Sequence, residues 1–206
     1  MIYQDFRLKL EGFEVFALAD IRKFDPKFYR HQLNEWQNKG YLTKLRRGYY
    51  MFADTALNES ALSLIANRLY APSYVSFESA LSRYGLIPEG VYTMTSASTR
   101  KTSAFATPVG NFSYRQVKPS LFFGYRLEQY NGQGVKIAEM EKAVLDYLYL
   151  NPRIVEEEEF HEWRFNGAEF LANANEGRLR QYAAAFGGGR FMDRVEIFLS
   201  RVRSQR

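Results

Sequence analysis

The stretch YLTKLRRGYYMF, residues 41–52, sets the interpretation of the first quarter of the chain. Its apolar residues alternate with Thr43 and Lys44 until Arg46-Arg47-Gly48 interrupts them, and aromatic residues follow. Alternation on both sides of a glycine-containing turn predicts a β-hairpin with Arg47-Gly48 at its tip. Because a hairpin tip has no packing partner inside the protein, arginines there indicate a partner that the chain itself does not contain.

Two helices and a short strand are predicted upstream of a third helix and this hairpin. We expect a first helix within residues 3–12, a strand at 13–18 and a second helix at 18–24. The order helix, strand, helix, helix, hairpin is that of a winged helix-turn-helix, whose recognition helix enters the major groove of DNA. Residues 1–53 are therefore predicted to form such a domain, and residues 54–206 a second, larger domain.

The third helix is predicted to begin at Asp25. An aspartate is a good N-cap, and Pro26 would occupy the first helical position, where a missing N–H costs nothing. Tyr29, Leu33 and Trp36 recur at helical spacing and predict one apolar stripe. With that stripe turned inward, the outward face carries Lys27, Arg30, His31 and Asn34. Asparagine pairs well with adenine and arginine with guanine, so these four are the predicted base-reading and helix-positioning residues.

Basic residues are concentrated in this first part of the chain. The whole sequence carries a formal net charge of +5, residues 1–53 hold 10 Lys/Arg against 6 Asp/Glu, and residues 22–47 hold 8 against 2. A basic patch on a small domain is typical of proteins that bind nucleic acid, and a solvated surface is the alternative. We expect double-stranded DNA as the partner, its phosphates gripped by Lys44, Arg46 and Arg47 of the predicted wing.

The remainder of the chain predicts a mixed domain. Predicted helices cover residues 60–70, part of 72–89, 138–150, about 156–171, about 175–186 and 190–203. Predicted strands cover residues 91–98, 110–117 and 122–130, and Asn131-Gly132 predicts a hairpin turn. The fold class is thus α+β: an N-terminal winged helix-turn-helix followed by a larger mixed α/β domain with a helical C-terminus.

No catalytic residue, cofactor or metal site is predicted. The chain has no cysteine, which excludes disulfides and thiol nucleophiles, and it has no glycine-rich phosphate loop. His161 lies among glutamates, but consecutive acidic residues fan around a helix instead of converging on a metal. Glu141 and Asp146 stand beside Lys142 at a spacing that separates their faces, so surface or interdomain ion pairs are expected.

A second basic segment lies in the predicted larger domain. TSASTRKTSAF, residues 95–105, combines hydroxyl groups with Arg100 and Lys101, which together suit phosphate contact, although a plain polar loop is the alternative. The N-terminus lacks a signal-peptide core, and no window approaches the roughly 20 apolar residues of a membrane span. A soluble, cytoplasmic protein without a membrane partner is expected.

Four stretches together resemble the AbiEi family, the antitoxins of abortive-infection toxin–antitoxin pairs. They are KGYLTKLRRGYYMF (39–52), PSYVSFESALSRYGLIPE (72–89), YTMTSASTRKT (92–102) and EMEKAVLDYLYL (139–150). They occur in the order that the family shows, and the resemblance extends from about residue 17 to about residue 150. The C-terminal third matches less well.

The resemblance implies an N-terminal winged-helix domain and a C-terminal antitoxin domain. Members of the family resemble DNA-binding autorepressors that recognise inverted repeats upstream of their own operon. They are similar in countering a nucleotidyltransferase-like toxin without a stable toxin–antitoxin complex. Carried over by matching position, DNA contacts would include Arg46 and Arg47 of the wing, with Arg100 and Lys101 in the second domain.

Two other classes of function stay open on the sequence. The C-terminal domain could neutralise a protein partner by direct contact, with the basic N-terminal domain serving only as a tether. An enzyme acting on nucleic acid has the least support, because no cluster of carboxylates converges in the predicted elements.

Overall fold

The computed structural model describes residues 1–88, 90 and 92–205. The protein has an α+β fold with a helical C-terminus. Positions 89, 91 and 206 lie outside the described residues; they belong to the predicted segments 72–89 and 91–98 and to the predicted domain 54–206. Among the helices described, none combines the length and the apolar character that crossing a lipid bilayer requires.

The first 52 residues form three helices and a three-stranded antiparallel sheet. In chain order the elements are α1 Tyr3–Lys9, β1 Phe16–Ala17, α2 Leu18–Ile21, α3 His31–Asn38, β2 Leu42–Arg46 and β3 Tyr49–Phe52. The strand order is β1-β3-β2, and Phe16 lies opposite Tyr50. The predicted succession of elements is confirmed, as is the two-residue turn Arg47-Gly48, where the glycine has φ +88°. The assignment as a winged helix-turn-helix remains a prediction.

An aromatic core holds α1, α3 and the small sheet together. Phe6 and Leu33 are completely buried, and Phe28 and Trp36 are nearly so. The ring of Phe6 lies 5.9 Å from that of Phe28 and 4.5 Å from that of Trp36. Such aromatic pairs contribute about 0.5–1.5 kcal/mol beyond the area they bury. This cluster therefore fixes which face of α3 points away from the protein.

The larger part of the chain forms a six-stranded mixed sheet with helices around it. Its elements are α4 Glu59–Leu69, β4 Ser73–Val75, α5 Phe77–Arg83, β5 Thr93–Ser98, β6 Ser103–Thr107, β7 Gly110–Gln116, β8 Tyr125–Tyr130, β9 Gln133–Ala138, α6 Met140–Leu150, α7 Glu157–Glu162, α8 Gly167–Asn173, α9 Glu176–Ala184 and α10 Gly189–Ser204. The strand order is β6-β7-β5-β4-β9-β8. The sequence did not predict β4 and β6, and the helix predicted at about 156–171 is two helices, interrupted at Arg164 with φ +53°.

The small sheet shares a hydrophobic cluster with the larger part of the chain. Val15, Leu45 and Met51 belong to the same cluster as Ile65 of α4 and Ile137 of β9. The face of β3 that carries Tyr50 and Phe52 belongs instead to the N-terminal aromatic core. Successive residues of β3 thus pack into two different hydrophobic clusters, because successive side chains of a β-strand point to opposite faces. The N-terminal sheet is packed on both sides.

A charged network lies buried where α6 meets β4. Lys142 and Asp146 are completely buried and form an ion pair. The Tyr74 and Ser76 hydroxyls both donate to Asp146 Oδ2 at 2.8 Å, and Lys142 Nζ donates to Tyr74 Oη at 2.7 Å. Desolvation lowers the pKa of Lys142, although the charge of Asp146 opposes that shift. The prediction of surface or interdomain ion pairs is wrong for Lys142 and Asp146. Their ion pair lies in the core, where Tyr74 and Ser76 also hydrogen-bond to it.

Candidate nucleic-acid interface

The candidate interface begins at the N-terminal end of α3. Lys27 lies in a turn before the helix, Arg30 occupies the N-cap, and His31 and Asn34 lie on the helix itself. All four side chains are exposed. The prediction that they share the outward face of a helix beginning at Asp25 is wrong in its boundary, because α3 begins at His31.

Burial of Phe28 explains this late start. The backbone N–H of Phe28 donates to the carbonyl of Asp25 at 3.0 Å, which closes a turn instead of a helix. The Phe28 ring is 4% exposed, whereas Tyr29 is 70% exposed. A tyrosine can keep its hydroxyl in water, while a phenylalanine has no polar group to hydrate. The inward set is therefore Phe28, Leu33 and Trp36, and the predicted stripe through Tyr29 is wrong.

Two predicted wing cations point to solvent. Arg47 occupies the hairpin tip beside Gly48, and Lys44 is exposed on β2. Within the described ranges 1–88, 90 and 92–205, neither side chain has a carboxylate at ion-pair distance. Both are therefore available to an anion outside the protein.

Arg46 does not share this arrangement. Its Nη1 donates to the carbonyl of Leu69 at 3.0 Å, and its guanidinium lies 4.2 Å from the centre of the Phe105 ring. A register shift between Lys44 and Arg46 interrupts the pairing of β2 with β3. A bulge of this kind breaks strict alternation and redirects the side chain that follows it. Arg46 therefore contacts the protein through one guanidinium nitrogen, and its contact with an external phosphate stays a prediction.

The structure brings the second basic segment next to the Arg46 contact. The Arg100 guanidinium lies 4.1 Å from the centre of the Tyr70 ring and donates to the carbonyl of Ala71 at 3.2 Å. The Tyr70 hydroxyl donates to the carbonyl of Lys101 at 2.8 Å. Residues 69–71 thus contact both Arg46 and the Arg100–Lys101 loop. Arg100 and Lys101 are both exposed, so the wing and this loop form adjoining basic surfaces.

Some cations of the protein are neutralised by ion pairs and others are not. Several arginines of the larger part are paired with carboxylates, among them Arg83 with Glu128 at 2.6 Å and Arg115 with Glu78 at 2.6 Å. In the part of the chain that the structure describes, no ion pair involves Lys27, Arg30, Lys44, Arg47 or Lys101. These five cations are therefore not neutralised by ion pairs within the described residues.

Two exposed residues, Tyr29 just before α3 and Glu35 on it, were not identified as interface residues from the sequence. Tyr29 stands between the predicted cations, with its ring 5.9 Å from that of His31. Glu35 is exposed one turn after His31, and its Oε1 lies 3.9 Å from His31 Nε2. The spacing of His31 and Glu35 was readable in the sequence. The exposure of Tyr29 was not, because it follows from the turn that buries Phe28.

The described residues contain no group of three or more His, Asp or Glu side chains arranged to hold a metal ion. The candidate interface offers instead cations, hydroxyls and amides, the groups that contact phosphates and base edges. Against known proteins, no family model and no curated sequence matches this chain.

Proposed function

We propose that this protein is a sequence-specific double-stranded DNA-binding protein that acts as a transcriptional repressor of its own operon. The N-terminal elements serve as a winged helix-turn-helix. His31 and Asn34 meet base edges in the major groove, Lys27 and Arg30 position the helix, and the exposed wing contacts the backbone. The observation that carries this proposal is the set of exposed, unpaired cations at the start of α3 and at the wing tip.

Phosphate contact has a quantitative signature. Each neutralised phosphate releases counterions, so the logarithm of affinity falls with the logarithm of salt concentration by about 0.9 per contact. Arg47→Ala is expected to reduce that slope by about 0.9 and to weaken binding to all duplexes alike. Arg190 is a matched control, because it is also exposed and belongs to no ion pair within the described residues.

The test is a fluorescence anisotropy titration at several salt concentrations, with the duplex upstream of the gene and a scrambled duplex. A slope that falls for Arg47→Ala and stays unchanged for Arg190→Ala supports the proposal. Equal affinity for both duplexes contradicts sequence specificity, and an unchanged slope for Arg47→Ala rules out the wing contact. Footprinting of an inverted repeat on the upstream duplex would identify the operator.

The antitoxin role rests on the family resemblance. We propose that the larger domain counters a nucleotidyltransferase-like toxin without forming a stable complex with it. Co-expression with the toxin encoded beside the gene is the test, and restored growth without co-purification is the expected result. Continued growth arrest contradicts the antitoxin role, and a complex that survives purification favours direct neutralisation of the partner.

A further inference from the structure

The outward face of α3 carries one acid among potential hydrogen-bond donors. An ideal helix turns by about 100° per residue, which places His31, Asn34, Glu35 and Asn38 on the side opposite the buried Leu33 and Trp36. The Glu35 side chain is 59% exposed. It is also the only carboxylate in residues 26–47, which include seven histidine, lysine and arginine side chains.

Glutamate suits an exposed helix position in general, but the one side-chain contact that Glu35 makes within α3, to His31, is weak. The 3.9 Å between Glu35 Oε1 and His31 Nε2 is too long for a hydrogen bond. An exposed pair one turn apart contributes only about 0.2–0.5 kcal/mol, and only while the histidine is protonated. A carboxylate on a helix that faces phosphates is repelled by them. On the proposed function, the acid therefore weakens binding unless it meets a donor on the DNA.

We infer that Glu35 is a specificity-determining residue that accepts a hydrogen bond from the N4 amino group of a cytosine in the major groove. This inference rests on the proposed DNA-binding function and deepens it. Cytosine presents a donor at the major-groove edge, whereas thymine presents an acceptor there. Guanine presents two acceptors, and adenine places its N7 acceptor beside its N6 donor, so a carboxylate that accepts from N6 also faces N7. A carboxylate facing an acceptor would lose its hydration without gaining a partner, so the acid selects for one base by penalising others.

The inference gives a directional expectation for Glu35→Gln. Glutamine pairs bidentately with adenine, so the preferred base at one operator position should change from cytosine to adenine. Replacing that cytosine should cost the unmodified protein about 5- to 150-fold in affinity, the range of a single mismatched base pair. Removal of the negative charge should also strengthen binding to scrambled DNA, so the specificity ratio should fall.

The experiment is selection from a pool of random duplexes with the full-length protein, Glu35→Gln, Glu35→Ala and Glu11→Gln. Glu11 is exposed in the same part of the chain but lies in the turn after α1, so Glu11→Gln removes an equal charge away from α3. We expect the unmodified protein and Glu11→Gln to select the same cytosine. Glu35→Gln should select adenine there, and Glu35→Ala should lose the preference.

Two results would overturn the inference, and they are distinguishable. If the unmodified protein enriches no sequence from the pool, the proposed sequence-specific function fails and Glu35 has no base to read. If it enriches a sequence that Glu35→Gln and Glu35→Ala select identically, DNA binding stands and the role of Glu35 is refuted. Circular dichroism and thermal melting of each variant establish that loss of selection does not come from unfolding.

Discussion

Arg46 and Arg47 are neighbours in sequence, but their contacts predict opposite consequences of mutation. Arg46 donates to the Leu69 carbonyl at 3.0 Å and lies over the Phe105 ring at 4.2 Å. A hydrogen bond from a charged group contributes about 1.5–3 kcal/mol, and an exposed cation–π contact about 0.5–1 kcal/mol. Because Arg46 is partly exposed, Arg46→Ala is expected to lower the free energy of unfolding by about 2 kcal/mol. Arg47→Ala should change it by less than about 0.5 kcal/mol.

The assay is urea unfolding of the unmodified protein and both variants, followed by circular dichroism. Comparing midpoints is valid where the three denaturant slopes agree, because a changed slope would signal a change in the surface exposed on unfolding. Arg46→Lys supplies an internal check. It keeps the charge but not the planar guanidinium that stacks on a ring, so its loss should be smaller than that of Arg46→Ala.

The same variants separate stability from phosphate contact. Arg47→Ala should reduce the salt slope of DNA binding without shifting the urea midpoint, whereas Arg46→Ala should shift the midpoint and largely preserve the slope. The reverse result would refute the reasoning: a fully stable Arg46→Ala with a slope reduced by about 0.9 would show that this guanidinium meets phosphate.

Three further predictions concern stability, each measured by urea unfolding. Lys142→Met should lower the free energy of unfolding by about 3–5 kcal/mol, because it leaves the Asp146 charge buried without its partner. The double variant Lys142→Met, Asp146→Leu should recover much of that stability, and no recovery would mean that the ion pair itself is strongly favourable. Burial raises the pKa of Asp20, but hydrogen bonds from Lys23 and a backbone N–H outweigh it and hold that pKa below its usual value. The stabilisation is therefore present above about pH 3.9 and lost as pH falls through the lowered pKa. Asp20→Asn should cost about 1 kcal/mol at about pH 7, and that cost should shrink as the pH is lowered; a cost that stays constant with pH would contradict this sign. Gly48→Ala should cost about 1 kcal/mol from backbone strain alone, because φ is +88° and the space around it is open; an unchanged midpoint would mean that the turn readjusts.

The elements that could be predicted from the sequence are those governed by local patterns. The hairpin of β2 and β3 follows from alternation and a turn glycine, and α6 follows from the helical spacing of Val144 and Leu148, both completely buried. The start of α3 could not be predicted in this way. Asp25 and Pro26 are good helix-start residues, yet the chain makes a turn there because Phe28 packs against Phe6 of α1. Tertiary packing overrides local propensity at this point.

Burial of the Lys142 network could not be predicted for a related reason. Charged residues are almost never fully buried unless they are paired, so two charges on a helix predict a surface. Their other hydrogen-bond partners, Tyr74 and Ser76, lie about 70 residues earlier in the chain. A Lys–Asp pair one turn apart in a largely apolar helix is the local signal, but its burial depends on hydroxyls that lie far away in the sequence.

In the candidate interface, too, local patterns predicted where the cations lie in the chain, and tertiary contacts decide which of them are free to bind DNA. Strand alternation would place Arg46 on the same face of the wing as Lys44. The register shift between these two residues turns Arg46 towards the Leu69 carbonyl instead. An arginine that is already bonded to a carbonyl has fewer donors left for phosphate, so composition overstates the charge that a basic segment can offer to DNA. The residues that the protein leaves unpaired are the informative ones. Lys27, Arg30 and Arg47 belong to that group, and the weight of the DNA-binding proposal rests on them.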